Sequence, residues 1–331
     1  MTRIADTIRR AAAEVEEFRG DYEELAAVMR ASWVDGPGSP YLYTADLLAE
    51  WLGYPGAEMA PTLAIYADGG LVAFAAGLPR EVQLAGATRR VLISTFLTVA
   101  QEQKAAGYGI VVWSELMRRA AAAGYDGVVN YCSDGAAMHR MIETGCRLLD
   151  LPLVRVKSFS YLVGVLEPAG GVIGRAGQHT SARRLVDAAS ADGERSHGDD
   201  EAQLWRVWSD AEAAWHLSRG GSVTAGDGDA VVTGSVATVA DAAGSRCLLV
   251  DDVLWGSAGG EARQSVLSDL LGQAAANGAG YVVVPVLGYA DVRPFLAVGL
   301  VPSPHTMHAY LTLWSDPGAV RPVERYYLDV V

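Results

Sequence analysis

Lys104-Ala105-Ala106-Gly107-Tyr108-Gly109 has the composition of an anion site. Glycines let a backbone turn tightly and approach a ligand closely. A helix beginning at Gly109 presents unpaired N–H groups and a partial positive charge there. With Lys104 as counter-charge, the segment through Ile110 reads as a pyrophosphate cradle. Taken alone, the spacing fits a plain strand-to-helix turn equally well. It is not the dinucleotide fingerprint, which needs Gly-x-Gly-x-x-Gly after a strand. It is not a Walker loop either, because no Gly-Lys-Ser/Thr follows. Cys132, Cys146 and Cys247 lie far apart without metal spacing, so neither a zinc ribbon nor a disulfide scaffold is expected. Asp251-Asp252 stands on an expected strand, where adjacent residues point to opposite faces. His305 and His308 are three apart on the last long strand, hence on opposite faces, which argues against a joint metal site.

Composition narrows the function classes. The 331 residues carry 26 Lys+Arg against 39 Asp+Glu, a net charge of −13, with the acidic excess larger in the second half. A sequence pI near 4.9 argues against nucleic acid, whose phosphates need a basic face. It suits a small or cationic partner. No run approaches the ~18 apolar residues of a membrane span, and the N-terminus lacks the order of a signal peptide. A cytoplasmic protein is expected, with no membrane partner and no metal, as a monomer or homodimer.

The elements that must position the loop occur twice. Ala121-Ala122-Ala123-Gly124 precedes Val128-Val129, and Ala275-Ala276-Asn277-Gly278 precedes Val282-Val283-Val284. Gly124 to Gly145 and Gly278 to Gly299 both span 21 residues, an offset of 154. In the first unit, a short strand near Val15–Phe18 leads to Asp21, an N-cap before a helix over Tyr22–Ser32. A second helix is expected over Ala45–Leu52. A hairpin covers Leu63–Tyr66 and Leu71–Ala76. A strand over Val91–Val99, the glycine loop, a helix over Gly109–Ala122 and a strand over Val128–Tyr131 follow. A short helix from Gly135 ends at Gly145 as its C′ glycine, and a strand runs over Val154–Val163. Order and lengths predict an α/β protein of two tandem domains, each a mixed, mostly antiparallel sheet flanked by helices. The Glu167-Pro168-Ala169-Gly170-Gly171 segment is punctuated like a linker, giving units of 1–165 and 166–331. The polar stretch Ala189–Asp200 reads as a loop in the second unit.

This order, with Lys-x-x-Gly-x-Gly between strand and helix, resembles the GNAT acyltransferase superfamily over Val15–Val163. The family signature begins with Gln or Arg, and Lys104 keeps the charge. The resemblance implies acetyl-CoA as acyl donor, in the N-terminal copy only. Leu97, Thr98 and Val99 would hydrogen-bond the pantetheine arm as an added strand. Lys104, Ala105, Ala106, Gly107, Tyr108, Gly109 and Ile110 would hold the pyrophosphate. Asp134 occupies the place where family members often carry an Asn near the cofactor. Family members also often carry a Tyr four residues before the closing glycine, to protonate the CoA thiolate; here that residue is Met141. The usual Glu base of the fourth strand is Thr95, which suits orienting a water or simply forming strand. Tyr131 and Cys132 end the fifth strand beside the expected thioester. Tyr131 is the expected substitute proton donor, against a reading as core aromatic. Cys132 is a candidate nucleophile, against a buried small hydrophobe. An oxyanion donor would be a backbone N–H of the fourth strand.

In this fold the link between the first two helices covers the acceptor. Trp33, Tyr41 and Tyr43 would shape the pocket, with Trp51 beside them, and Asp35 would attract an ammonium group. In the second copy the offset places Glu261 and Arg263 at the loop and Phe295 at the Tyr position, so that copy reads as degenerate. The C-terminal Arg325–Val331, apolar and aromatic, is expected to dock. The implied activity is N-acetylation of a small-molecule amine by direct attack in a ternary complex. A Fem-like transferase using aminoacyl-tRNA and a non-catalytic acyl-CoA sensor are the alternatives.

Overall fold

The computed structural model describes residues 14–33, 41–133, 136–166, 180–196, 203–240 and 243–330. The first half runs β1 (Glu16–Glu17), α1 (Tyr22–Trp33), α2 (Ala45–Leu52), β2 (Thr62–Ala67), β3 (Gly70–Leu84), β4 (Ala87–Val99), α3 (Tyr108–Ala122), β5 (Gly127–Cys132), α4 (Ala137–Leu148) and β6 (Val154–Val165). The second half runs α5 (Ala182–Ser196), β7 (Gln203–Val207), α6 (Asp210–Ser218), β8 (Ser222–Asp227), β9 (Ala230–Thr238), β10 (Arg246–Leu254), α7 (Gly260–Ala276), β11 (Tyr281–Pro285), α8 (Arg293–Ala297), β12 (Val301–Leu313) and β13 (Arg325–Tyr327). Each half therefore repeats hairpin, long strand, helix, parallel strand, helix, strand. Asp35, Asp134, the 167–171 linker and 197–200 lie outside the described residues.

The sheets of the two halves are one sheet of 13 strands, along the path β1-β2-β3-β4-β5-β12-β6-β11-β10-β9-β8. The halves exchange their last strands. β12 enters between β5 and β6, and β6 completes the second half beside β11. The C-terminal segment docks as expected. β13 lies parallel to β7, which pairs with Glu81–Leu84 of β3 in the first half.

Local sequence accounts for the helices around the site. In α3, Val112, Trp113, Leu116, Met117 and Ala120 recur at one-, three- and four-residue steps and are buried. Each large side chain among them contributes about 1.5–3 kcal/mol by leaving water. The Thr44 hydroxyl accepts from Leu47 N at 3.2 Å and caps α2. Ser209 and Glu212 form a capping box at α6.

Two local expectations are corrected. Gly145 is not a C′ glycine, because α4 continues through it to Leu148. A Cβ there would lie 2.4 Å from Cζ3 of Trp113, so glycine is present to let α3 and α4 close on each other. The stretch from Ala189 to Ser196 is not a loop but the second part of α5. Trp205 Nε1 donates to Ala189 O at 3.1 Å, and a Cβ on Gly193 would meet the same indole. Small residues here make a seat for a tryptophan, which composition alone reads as flexibility. Among the described residues, no helix is long and apolar enough to cross a membrane. No group of three His, Cys, Asp or Glu among them is placed to hold a metal.

Candidate active site

β4 and β5 pair in parallel only from Val91↔Gly127 to Ser94↔Asn130. Beyond Ser94, β4 continues to Val99 against β3, while β5 continues against β12. The two strands part there and leave a gap in the middle of the sheet. β4 carries a bulge at that point. Thr95 pairs with Ala76 and Thr98 with Phe74, so Phe96 and Leu97 together face Ala75. Phe96 takes φ +54°, a left-handed conformation that is strained for a bulky residue and re-aims the backbone at the gap.

At the C-terminal end of β4, a 3-10 turn over Gln101–Ala106 leads to Gly107, φ +80°, and then α3. A Cβ on Gly107 meets nothing within 4 Å, so conformation is what demands glycine there. A Cβ on Gly109 would lie 3.2 Å from Met141 Sδ and from Val99 Cγ2, so close packing demands it there. The start of α3 thus lies at the end of the bulged strand, and among the described residues no side chain caps it. Lys104, exposed, donates through Nζ to Ser32 O at 2.9 Å. Ser32 Oγ donates to Val99 O at 2.8 Å, and Trp33 Nε1 to Thr98 Oγ1 at 3.0 Å. The end of α1 is thereby tied to the bulged strand and the loop together.

The aromatic residues expected at the acceptor side converge on the bulge. Trp33 packs edge-to-face on Tyr43 at 5.3 Å, and Tyr43 on Phe96 at 5.6 Å. Tyr41 packs on Tyr43 at 6.2 Å, and its hydroxyl pKa is raised by burial and then by Asp251. Trp51 contacts Phe96 and also Trp215 of α6, at 6.5 and 5.9 Å. Sequence reasoning missed Phe96 and Trp215. The bulge leaves no mark in a β-rich run, and Trp215 reaches the site only through the packing of one half on the other.

Tyr131, Thr95 and Cys132 are all buried. Tyr131 faces the core shared by both halves. Its hydroxyl donates to Asp329 O at 3.0 Å and lies 2.6 Å from the Tyr326 hydroxyl. A phenol has one proton, so Tyr326 donates to Tyr131 in turn. Burial first, then Tyr326, hold the Tyr131 pKa well above its usual value. Cys132 faces the α3 side and lies opposite His308 of β12 in the register.

The Asp329 carboxylate is gripped by two arginines. Arg80 donates from Nε at 2.8 Å and again from Nη2, and Arg206 Nη1 lies 3.1 Å away. Burial raises the Asp329 pKa, but Arg206 and Arg80 overcome it and hold the carboxyl well below its usual range. Arg206 Nη2 also donates to the Tyr54 hydroxyl at 2.8 Å, and Tyr54 donates to Glu212. A second buried group stands on β10. There Asp251 is the extra residue of a bulge and accepts from Arg219 at 2.7 Å. Asp252 accepts from Thr233 at 2.5 Å and Tyr327 at 2.8 Å, with His216 Nε2 2.9 Å away. The Asp251-Asp252 pair is thus internal and engaged. The bulge brings both carboxylates to one side, since His216 Nε2 lies 3.9 Å from Asp251 as well, where plain alternation puts them on opposite faces.

The fold defined by this split sheet is GNAT-like. No protein-family model matches the chain, and no curated protein does. Solved structures do. Saccharomyces cerevisiae N-myristoyltransferase with bound myristoyl-CoA aligns over 90% of this chain and 82% of its own, with a TM-score of 0.64 and 14% identity. A GCN5-related N-acetyltransferase from Kribbella flavida aligns over 92% and 71%, with 0.55 and 14%. One from Anabaena variabilis aligns over 90% and 72%, with 0.51 and 12%. At these identities the likeness is one of fold.

Proposed function

We propose that the chain is an acyl-CoA-dependent N-acyltransferase, transferring acetyl from acetyl-CoA to the amine of a small molecule by direct attack in a ternary complex. The observation that carries this reading is the gap between β4 and β5, with the Gly107 turn and the start of α3, uncapped by any described side chain, beyond it. Acyl-CoA is here a substrate, and the residues present fit it. The α3 amides and Lys104 suit a pyrophosphate, and Leu97, Thr98 and Val99 offer a strand edge to the pantetheine amides. The neighbours of known structure, N-acyltransferases by their names, support the same chemistry.

The bulge at Phe96–Leu97 supplies a backbone N–H to the thioester oxygen, where charge develops during attack. Trp33, Tyr41, Tyr43 and Trp51 wall the acceptor, with Asp35 attracting its ammonium form. Tyr131 is the proposed proton donor to the leaving thiolate, and it must release Asp329 O to act. Thr95 orients a water for the amine, and Cys132, buried on the α3 side, is the candidate nucleophile of a covalent variant. Residues 1–165 carry the donor site, with Asp134 beside it, and residues 166–331 shape the acceptor side.

Titration calorimetry with CoA tests the donor site, with one site per chain expected. A panel of amines with acetyl-CoA, read as released thiol, tests the reaction. No CoA binding overturns the reading. Binding without turnover on any amine turns it into a sensor. Full turnover in Tyr131→Phe removes the proton-donor role.

A further inference from the structure

Two buried polar side chains face each other at the vertex where β4 and β5 part. Ser94 and Asn130 are the last register partners of the parallel pair. Asn130 is fully buried and Ser94 nearly so. Asn130 Oδ1 accepts from Trp113 Nε1 at 3.0 Å. An indole nitrogen can only donate, so this bond fixes the amide orientation and makes Nδ2 the free end. Among the described residues Nδ2 has no hydrogen-bond partner, and neither does Ser94 Oγ. Leaving such donors unmet costs about 1–3 kcal/mol each, so a pair of them at one spot calls for an acceptor. Alternation along the strands puts both on the α3 side. Leu92, two residues before Ser94, packs with Trp113.

The direction of the donor arm says which acceptor arrives there. The phosphate-binding turn lies at the C-terminal end of β4. An arm running back along Val99, Thr98 and Leu97 brings its thioester to the vertex last. We propose that Asn130 Nδ2, with the Ser94 hydroxyl beside it, donates to the thioester carbonyl oxygen opposite the bulge amide, as side-chain members of the oxyanion site. The assignment rests on the acyltransferase reading above. A carbonyl oxygen has two lone pairs and the tetrahedral oxyanion three. Donors converging from both strands are therefore used most fully in the transition state. No atom changes hands with Asn130 or Ser94. The amine nitrogen bonds the carbonyl carbon and gives its surplus proton to the water that Thr95 orients. The C–S bond breaks, the leaving thiolate takes a proton from Tyr131, and both donors keep their protons. Trp113 is a positioning residue, acting through Asn130.

The test compares Asn130→Asp and Ser94→Ala with the wild type. Asp keeps the acceptor for Trp113 and loses the N–H donor. Two probes are titrated, free CoA and a dethia acetyl-CoA whose methylene replaces the thioester sulfur, so that the carbonyl stays and no turnover occurs. Free CoA should bind Asn130→Asp as it binds the wild type. The dethia analogue should lose about tenfold in affinity. Turnover on the best amine of the panel should fall about a hundredfold to a thousandfold in kcat, a larger loss than the roughly tenfold one expected in ground-state binding of the analogue and in KM for acetyl-CoA. The ratio of variant to wild-type kcat should climb as pH falls, because a protonated Asp regains an O–H donor. Ser94→Ala should lose about tenfold in kcat. Wild-type kcat in both variants overturns the proposal. So does an equal loss of free-CoA affinity, which marks a structural role, or an unchanged analogue-to-CoA ratio, which marks a buried water as the partner. Absence of CoA binding in the wild type overturns the acyltransferase reading itself and this assignment with it.

Discussion

The two halves fold alike and differ in the side chains beside the same helix start. In the first, the strand gap leads to Gly107 and the start of α3, which carries no side-chain cap among the described residues. In the second, α7 also starts at glycines, Gly259 and Gly260, without a side-chain cap among the described residues, but a different set of charges stands beside that start. Arg263 of α7 turns back to donate to Ala258 O at 2.7 Å and to Asp291 at 3.0 Å. Trp255 donates to Asp291 O at 2.7 Å and packs on Phe295. Asp291 is held at about 2 by Arg293, then opposed by burial and helped by Arg263. Both β4 and β10 bulge, but β10 places engaged aspartates where β4 places a strained Phe96. The backbone plan is shared by both halves, and what differs at the two helix starts is the charged side chains beside them.

Separating the halves should have the largest effect. Residues 1–165 alone lack β12, so β5 and β6 lose the strand between them. We expect no cooperative thermal transition and association through bare strand edges; a sharp monomeric transition would show the halves to be independent. Next comes Asp329→Ala, which leaves Arg80 and Arg206 buried without their carboxylate. A loss of about 3–5 kcal/mol is expected in urea unfolding. Asp329 has a folded pKa below its unfolded value of about 4. Its stabilisation is present above that value and fades as pH falls below it. Unfolding of the wild type should therefore steepen below about pH 4, and Asp329→Asn should show a shallower acid limb.

Gly107→Glu should abolish the calorimetric CoA signal, because it brings a carboxylate to the helix start and a side chain to φ +80°. Glu261→Gly should leave the site count at one. A second site in that variant would show that Arg263 and Trp255 do not close the second half. The smallest effects concern one glycine position with two meanings. Gly145 lies inside a helix against Trp113, whereas Gly299, its partner at the offset, ends α8 at φ +95° with open space around it. Gly145→Ala should cost about 1–3 kcal/mol by overpacking. Gly299→Ala should cost about 1 kcal/mol, from backbone alone.

Much of the plan was legible because it rests on local signals. The helix over Ala45–Leu52 and the hairpin turn at Asp68-Gly69-Gly70 follow from spacing and turn residues. Gly107 is recognisable because one short segment carries the whole turn. The strand exchange is not legible, since β12 satisfies the same alternation wherever it pairs. Asn130 looks like any strand residue until Trp113 reaches it. Asp329 is an ordinary tail residue until two arginines, more than a hundred positions upstream, enclose it. Asp251-Asp252 resembles an edge pair, because sequence shows two charges and not the His216, Arg219 and Tyr327 that meet them.

The exchange of β6 and β12 also sets an order of events during synthesis. Chains grow from the N-terminus at about 5–20 residues per second. When β5 and β6 emerge, the strand that belongs between them is still some 140 residues away in the message. The first half must wait, with two strand edges open, until nearly the whole second half has appeared. Pairing of this sequence separation slows folding and exposes edges to other nascent chains. The segments proposed for the donor site lie within the first 110 residues, yet the sheet around them is complete only when the final strands arrive. The fold of the first half is thereby tied to the emergence of β12.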